Sequence, residues 1–382
     1  MLITHAKIYT MSNVGLIEDG FIFVKDGTIE KIGSMALCPK ISDFKGAVID
    51  IKSMNLFPGF IDSSTTMGNT CLDDQDQIFK ESKSDLIAPH LRVLDSVNLK
   101  DPSFKEALFS GVTTVIIFPF STRLISGQIL ACKTFGKKID NMIINSSASV
   151  KINLKKVIGS NSNIFLLGII RESLLKAKKY IEDKEFAISN LDRCETPTYD
   201  IKHESLVRVL EREVPALIDA ETREEIFAAI RIAKEFSMKI VLVNPLDISL
   251  VTDEVLSENV AVLCSPFCVR NDRHKTSDSF SKIPGFLNKM KIPTAITSNH
   301  PKFPSNFLTL AASVAVNAGM DWLEAIKSIT IYAAKINGIS DHVGSIEENK
   351  DADFVVFEKD PLDIFQKPKL VVCNGEKILD NL

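Results

Sequence analysis

The chain has 382 residues, 45% hydrophobic and 25% charged, with a formal net charge of −4 and a sequence pI near 6.0. That balance excludes collagen-like, disordered and coiled-coil chains, and it lacks the basic excess of a nucleic-acid binder. The length is enough for one large core and a smaller one beside it.

The opening segment reads as short strands and turns. Ile3–Thr10 alternates, as does Phe21–Lys25, and Asp26-Gly27 marks a hairpin into Ile29–Gly33. The start, MLITHAKIYTM, has no basic region followed by an apolar run, so no signal peptide is expected. The middle alternates apolar strands with amphipathic helices. Phe57–Asp62 reads as a strand, Ser103–Ser110 as a helix stopped by Gly111, and Val112–Phe118 as the next strand. The most apolar run, Ile164–Ile170, falls far short of the ~20 residues that cross a bilayer. Arg171-Glu172 behind it reads as a helix start. Val214–Ala220 is a strand, and Thr222-x-x-Glu225 is a capping box. It opens a helix with Ile226, Ile230, Ala233 and Phe236 on one face. Strands follow at Lys239–Asn244, Val260–Cys264 and Thr294–Ser298, and Trp322 reads as the core residue of a late helix. The chain closes as it opened, with strands at Ala352–Phe357 and Val371–Cys373 and a hairpin signal at Asn374-Gly375 before Lys377–Leu379.

Strand-then-helix units between two all-β ends predict an α/β fold. The leading architecture is a (β/α)8 TIM barrel with a small β-sandwich built from both termini; a doubly wound sheet has no Gly-rich phosphate turn to support it. The expected divisions are 1–56 and 347–382 for the two parts of the sandwich and 57–346 for the barrel. The seven cysteines are scattered and odd in number, which fits free thiols. Cys264 and Cys268 lack the further ligands of a zinc site. These features lead to an expectation of a cytoplasmic protein with no membrane or nucleic-acid partner; homo-oligomerisation stays open.

In such a barrel the functional side chains stand where strands end and helices begin. Those places hold Ser63–Thr66, Ser149-Val150-Lys151, Asp219 with Glu221, Asn244, and Asn299-His300. They are mostly neutral and polar, and no Ser/His/Asp order, H-E-x-x-H or Walker loop accompanies them.

Phe57-Pro-Gly-Phe-Ile-Asp62 resembles the PGFID opening of the amidohydrolase superfamily. Val343–Val356 is similar to its closing GSIExGKDADLVV, and Asn374-Gly-Glu376 to its final NGE. Pro89-His-Leu-Arg92, Ala107–Thr114 and Lys133–Lys137 resemble the imidazolonepropionase-like branch, so the likeness covers almost the whole chain. It implies the same barrel and sandwich and a metal-dependent hydrolase of non-peptide C–N bonds. It also implies a ligand set, which this chain departs from. Ser64 and Thr66 stand where a D-x-H-x-H motif places its histidines. Asp219-Ala-Glu221 stands for H-A-H, Asn244 for a further histidine, and Asn299 for the aspartate of T-D-H-P. Lys151 alone keeps its family form, at the place of a carbamylated lysine. His90, Gln128 and His300 are expected to line the pocket by the same likeness, with His300 outside the first ring of contacts. His5, His203, His274 and His342 fall outside the motifs and read as surface or sheet residues.

Zinc needs three or four anionic or imidazole donors. A structural zinc site is worth about 10–16 kcal/mol, so losing four ligands removes most of the affinity. The nucleophile leaves with the metal. Zinc-bound water has a pKa near 7 against about 15.7 in bulk, a gap of roughly 12 kcal/mol at about 1.36 kcal/mol per unit. The sequence therefore predicts a catalytically inactive amidohydrolase homologue with no cofactor and a pocket for a small molecule. The alternatives are an active hydrolase with an atypical site for zinc or another divalent metal (Lys151, Asp219 and Glu221 as ligands), and a structural subunit of an assembly. Lys151 is further expected to pair with Asp219 or Glu221 and occupy the space of the metal.

Overall fold

The structure is a computed structural model and describes every residue except 41–43, 70–85, 122, 155–162, 191–195 and 268–276. Cys71, Cys194, Cys268 and His274 lie outside the described residues.

The chain starts with β1 (Leu2–Tyr9), β2 (Leu16–Lys25) and β3 (Thr28–Ser34), an antiparallel meander turning at Asp26-Gly27. Asp26 and Gly27 both have positive φ, 50° and 82°, as the hairpin signal requires. Two short strands, β4 (Val48–Asp50) and β5 (Asn55–Pro58), then pair parallel with β1.

The segment Phe57–Asp62, expected to be one strand, is divided at Gly59. Phe57 and Pro58 finish β5 in the terminal sheet, and Phe60 begins β6 (Phe60–Thr65), the first strand of the barrel. A Cβ built on Gly59 would meet Thr113 Oγ1 at 2.0 Å, so only glycine lets the chain change sheets this close to its neighbour. The helix α1 (Pro102–Phe109) has Asp101 as its N-cap and leads through Gly111 into β7 (Val112–Ile117). Next come β8 (Ile125–Lys133) and β9 (Ile143–Asn153), which have no α-helix between them. After them α2 (Asn163–Ser189) and α3 (Ile201–Leu210) precede β10 (Ala216–Asp219), and α4 (Arg223–Phe236) precedes β11 (Ile240–Val243). α5 (Thr252–Ser257), β12 (Ala261–Cys264), α6 (Ile283–Lys289) and β13 (Thr294–Ile296) complete the sheet.

The eight strands β6 to β13 lie side by side in chain order, giving the nearly closed barrel sheet expected from the sequence. The departure is β8, which runs antiparallel to both β7 and β9. A strand that follows its neighbour without a helical crossover can only return the other way. Two further local expectations change. Ser149–Lys151 lie inside the long strand β9 and not after its end, and Arg171-Glu172 lie well inside α2, where Arg171 Nε donates to Glu235 of α4 at 2.8 Å. The Thr222–Glu225 capping box is present as read, and the amphipathic face of α4 is buried.

Ile61, Ile116, Ile129, Leu217, Val243 and Leu263 fill the inside of the barrel. The opposite strand faces, with Val150, Ile152, Ala216 and Ile218, pack on the helices. After β13 come α7 (Leu308–Asn317), α8 (Trp322–Ser328) and α9 (Ile331–Ile336). The last strands, β14 (Phe354–Phe357), β15 (Leu370–Cys373) and β16 (Glu376–Asp380), join the N-terminal sheet through the antiparallel pair β14–β5. The β-rich layer is thus built from both termini. Trp322 packs on the edge of the core: it is half-buried at the start of α8, edge-on to Tyr9 and Phe57, with its Nε1 donating to Asp360 at 2.9 Å.

A buried ion cluster ties the layers together. Lys133, at the end of β8 and 3% exposed, places Nζ 2.6 Å from Asp353 and 2.7 Å from Asp351. Burial alone pulls the Lys133 pKa down, and the two carboxylates more than offset it, leaving it raised. Asp353 also accepts from Asn374 N at 2.7 Å, so the closing motif is fastened to the barrel and to the final hairpin at once.

Lys133→Met strands a carboxylate that is itself 3% exposed. Removing one partner of such a pair costs about 3–5 kcal/mol, whereas Lys176→Met, in an exposed pair with Glu172, costs under about 1 kcal/mol. Urea unfolding midpoints of the two variants measure the difference; equal midpoints would refute the role given to Lys133.

Candidate functional site

β9 and β10 run parallel with Lys151 opposite Leu217. Leu217 packs in the barrel interior, so Lys151 faces inward too. Asp219 follows two residues later on the same face. Lys151 Nζ lies 3.4 Å from Asp219 Oδ2, with the side chains 13% and 24% exposed. The same ammonium stands 5.6 Å above the Phe118 ring at the end of β7, within reach of a cation–π contact. The pairing expected from sequence is therefore present with Asp219. Glu221 sits just outside β10, ahead of the cap Thr222; its half-buried backbone N–H donates to Glu225 at 2.6 Å, in the approach to α4.

Across the barrel, β6 and β13 end the sheet order with no partner strand between them. Asp62, fully buried, accepts from Thr297 Oγ1 at 2.6 Å, from Ser298 N at 3.1 Å and from Ser298 Oγ. Ser64 is buried beside it and takes a hydrogen bond from Thr297 on its carbonyl, 3.1 Å. Thr66 lies just past β6, and its backbone N–H and hydroxyl both donate to the His300 carbonyl, at 3.2 and 3.4 Å. Its hydroxyl is thus engaged with the chain itself. Asn244 ends β11 at φ 51°, buried, and its Oδ1 accepts from Ser265 N at 3.1 Å. Asn299 has φ 67° and donates its backbone N–H to Thr297 Oγ1, 3.3 Å. His300 is half-buried, its Nδ1 has no hydrogen-bond partner among the described residues, and burial pulls its pKa below the ordinary value despite Asp62, Asp101 and Glu106.

One expected pocket residue is placed elsewhere. Gln128 pairs with Val150, whose side chain packs in the outer core. Gln128 therefore faces outward, and its Nε2 donates to Ser205 of α3 at 3.2 Å. The period of two decides this: Ile129, next along, takes the interior position. His90 lies in the segment that hydrogen-bonds along β8, through Ala88 N to Ile125 O and Gln128 N to Leu91 O. That segment approaches so closely that a Cβ on Gly127, at φ 128°, would lie 2.4 Å from the Leu91 carbonyl oxygen. Two residues not singled out in the sequence belong to the site. The sequence pattern gives Asp62 only as part of the opening motif and Phe118 only as a strand residue; a carboxylate next to hydroxyl residues is the one available signal for the first.

The polar groups at these positions are largely engaged within the chain. No group of three or more His, Cys, Asp and Glu side chains stands close enough to share an ion among the described residues. Of the substituted positions, Asp219 faces an ammonium and Asn244 Oδ1 is already committed to the backbone.

The fold and these positions can be set against known proteins. The amidohydrolase family profile matches residues 175–378, just over half of the chain. The chain belongs to the amidohydrolase family. A solved amidohydrolase from Thermotoga maritima MSB8 superposes with a TM-score of 0.85 at 26% identity, covering 99% of both chains. Molinate hydrolase superposes at 0.59 with 16% identity over 99% of this chain and 94% of that one, a likeness of fold. The amidohydrolase tasK of Hapsidospora irregularis is 21% identical over 403 residues, 95% of this chain but 40% of that protein. No helix among the described residues is long and apolar enough to cross a membrane.

His300 gives a test of the local environment. With its folded pKa below the unfolded value, the unfolded chain takes up the proton first as pH falls. The stability contribution is whole above about pH 6.5, the unfolded value, and is lost as pH falls through the folded pKa. The His300 ring resonance should titrate below about 6.5 in NMR spectra, and His300→Gln should flatten the acid side of the stability curve. Titration of His300 above that value would contradict the burial argument.

Proposed function

We propose that this chain is an amidohydrolase-fold protein that does not hydrolyse through a metal, and whose barrel mouth binds a small polar molecule. The Lys151–Asp219 contact at 3.4 Å carries the reading. A built-in ammonium on the carboxylate opposes the approach of a metal cation by like charge, and it leaves that carboxylate a poorer ligand. Asn299 supports the same reading, because an amide has no useful basicity with which to activate a water. Without a metal the barrier rises by roughly 12 kcal/mol, from the pKa difference between bound and bulk water.

The binding part rests on polar atoms left over at this end of the barrel. His300 Nδ1 and Ser149 Oγ are buried without hydrogen-bond partners among the described residues. Each such group costs about 1–3 kcal/mol until something bonds to it. Ser149 is two residues before Lys151 in β9, on the same strand face. A small molecule with donors and acceptors satisfies these atoms while leaving the ion pair in place.

Elemental analysis after incubation with equimolar zinc, manganese or iron should find well under one ion per chain. The variant combining Ser64→His, Thr66→His, Asp219→His, Asn244→His and Asn299→Asp should then bind zinc, having recovered its donors. Stoichiometric metal in the unaltered protein, with hydrolysis of an amide or lactam that a chelator stops, would replace this reading with that of an active hydrolase. Failure of the five-fold variant to bind metal would show that these positions do not form the site.

A further inference from the structure

The end of the barrel remote from Lys151, where the strands begin, holds two adjoining cavities. The smaller, of about 370 Å³, lies between α6, α8 and α9 and is walled by Ile292, Met320, Tyr332 and Ile336. The larger, of about 920 Å³, runs beneath β10, β11 and β12. Both are within the range of about 300–1,000 Å³ usual for small-molecule sites. Pro293, Lys335 and Ile336 line both, so the cavities meet at Lys335.

Their charges do not balance. Each lining carboxylate already has a cation: Glu213 has Arg208 at 3.1 Å, Glu258 has Lys234 at 2.9 Å, and Glu324 has Lys327 at 2.8 Å. Glu324 also accepts from Tyr332 OH at 2.9 Å and Asn288 Nδ2 at 3.0 Å, which fixes it to the wall of the small cavity and pushes the Tyr332 phenol up to about 12, burial being the first cause. Arg212, Lys239, Lys291 and Lys335 have no carboxylate within 4.0 Å among the described residues. Glu347 acts on Lys335 only from beyond that distance and is itself paired with Lys350 at 2.9 Å, so an apolar chamber opens onto a wider one whose lining charges without a contacting partner are all positive.

We propose that these cavities are one binding site for an amphiphilic anion, a medium-chain carboxylate, with its chain in the smaller cavity and its carboxylate at Lys335. The site is independent of the reading given to the barrel mouth. Apolar walls at Ile292, Met320 and Ile336 take the methylene groups, the contribution that scales with buried area. The carboxylate meets Lys335 at the junction, with Lys291 on one side and Lys239 on the other. Lys335 also stands in the last turn of α9, where a cation complements the helix carbonyls. That role concerns stability alone and gives no dependence of ligand affinity on Lys335.

Calorimetric titration of the full chain with decanoate below its micelle concentration tests the site. One decanoate should bind per chain, and octanoate should bind more weakly by about fourfold per methylene removed, from about 0.8 kcal/mol each. Lys335→Gln, at an exposed position, should lower the melting temperature only slightly, by the lost helix-end contact, and weaken decanoate at least tenfold. Met320→Trp should fill the small cavity and abolish binding; should it fail to fold, Lys335→Gln and the chain-length series still decide. Absence of decanoate binding, equal binding of decyltrimethylammonium, or affinity unchanged by Lys335→Gln would overturn the proposal.

Discussion

A buried carboxylate stands at the centre of the barrel's closure. β6 and β13 are the two edges of the sheet, and Asp62 holds them together by accepting from Thr297 Oγ1, Ser298 N and Ser298 Oγ. Hydrogen bonds to a charged acceptor are worth about 1.5–3 kcal/mol each, more than neutral ones. Unpaired edges also carry open backbone donors and acceptors, which closure hides. The strand ends that carry Ser64, Thr66, Asn299 and His300 are positioned by this clasp, since Thr66 reaches His300 only when β6 and the segment after β13 are side by side.

Lys133 fastens the rest. Asp62 closes the barrel on itself, while Lys133 joins the barrel to the layer built from both termini through Asp351 and Asp353. The two devices explain why the opening and closing motifs of the chain are chemically specific. Gly59 must pass Thr113 without a side chain, Asp62 must accept several donors, and Asp353 must serve both Lys133 and Asn374 N. Hydrophobic burial does not discriminate among such arrangements; directional polar contacts in a dry setting do.

Much of the fold was legible because local signals and tertiary demands coincide. Asp26-Gly27 and Asn374-Gly375 supply the positive φ that their hairpins need, and Thr222 with Glu225 caps α4 from both sides. What escaped the sequence lies where burial on both faces erases the pattern. β7 is buried at every position, so neither the direction of its neighbour β8 nor the face taken by Gln128 could be read from alternation. The division at Gly59 was hidden because both halves of Phe57–Asp62 are buried strand. Trp322 does pack on the core, but only at its edge, because its indole N–H needs Asp360 and that partner lies at the surface.

The substituted ligand positions gain a second meaning from the backbone. Asn244 and Asn299 both adopt positive φ, at 51° and 67°. Among residues with a side chain, asparagine is one of the few that accept this conformation readily. Asparagine at these two positions therefore has a local reason, and Asn244 adds a tertiary one by holding Ser265 N. The two ends of the barrel consequently differ in electrostatic character. At the strand ends, Lys151 meets Asp219, Asp62 accepts from neutral donors and the amide of Asn244 meets the backbone, so these groups are satisfied within the chain and the atoms left over are neutral: His300 Nδ1 and Ser149 Oγ. At the strand starts, Arg212, Lys239, Lys291 and Lys335 stand around open space. A neutral polar molecule suits the first and an anion suits the second, because in each case the ligand must supply what the chain lacks.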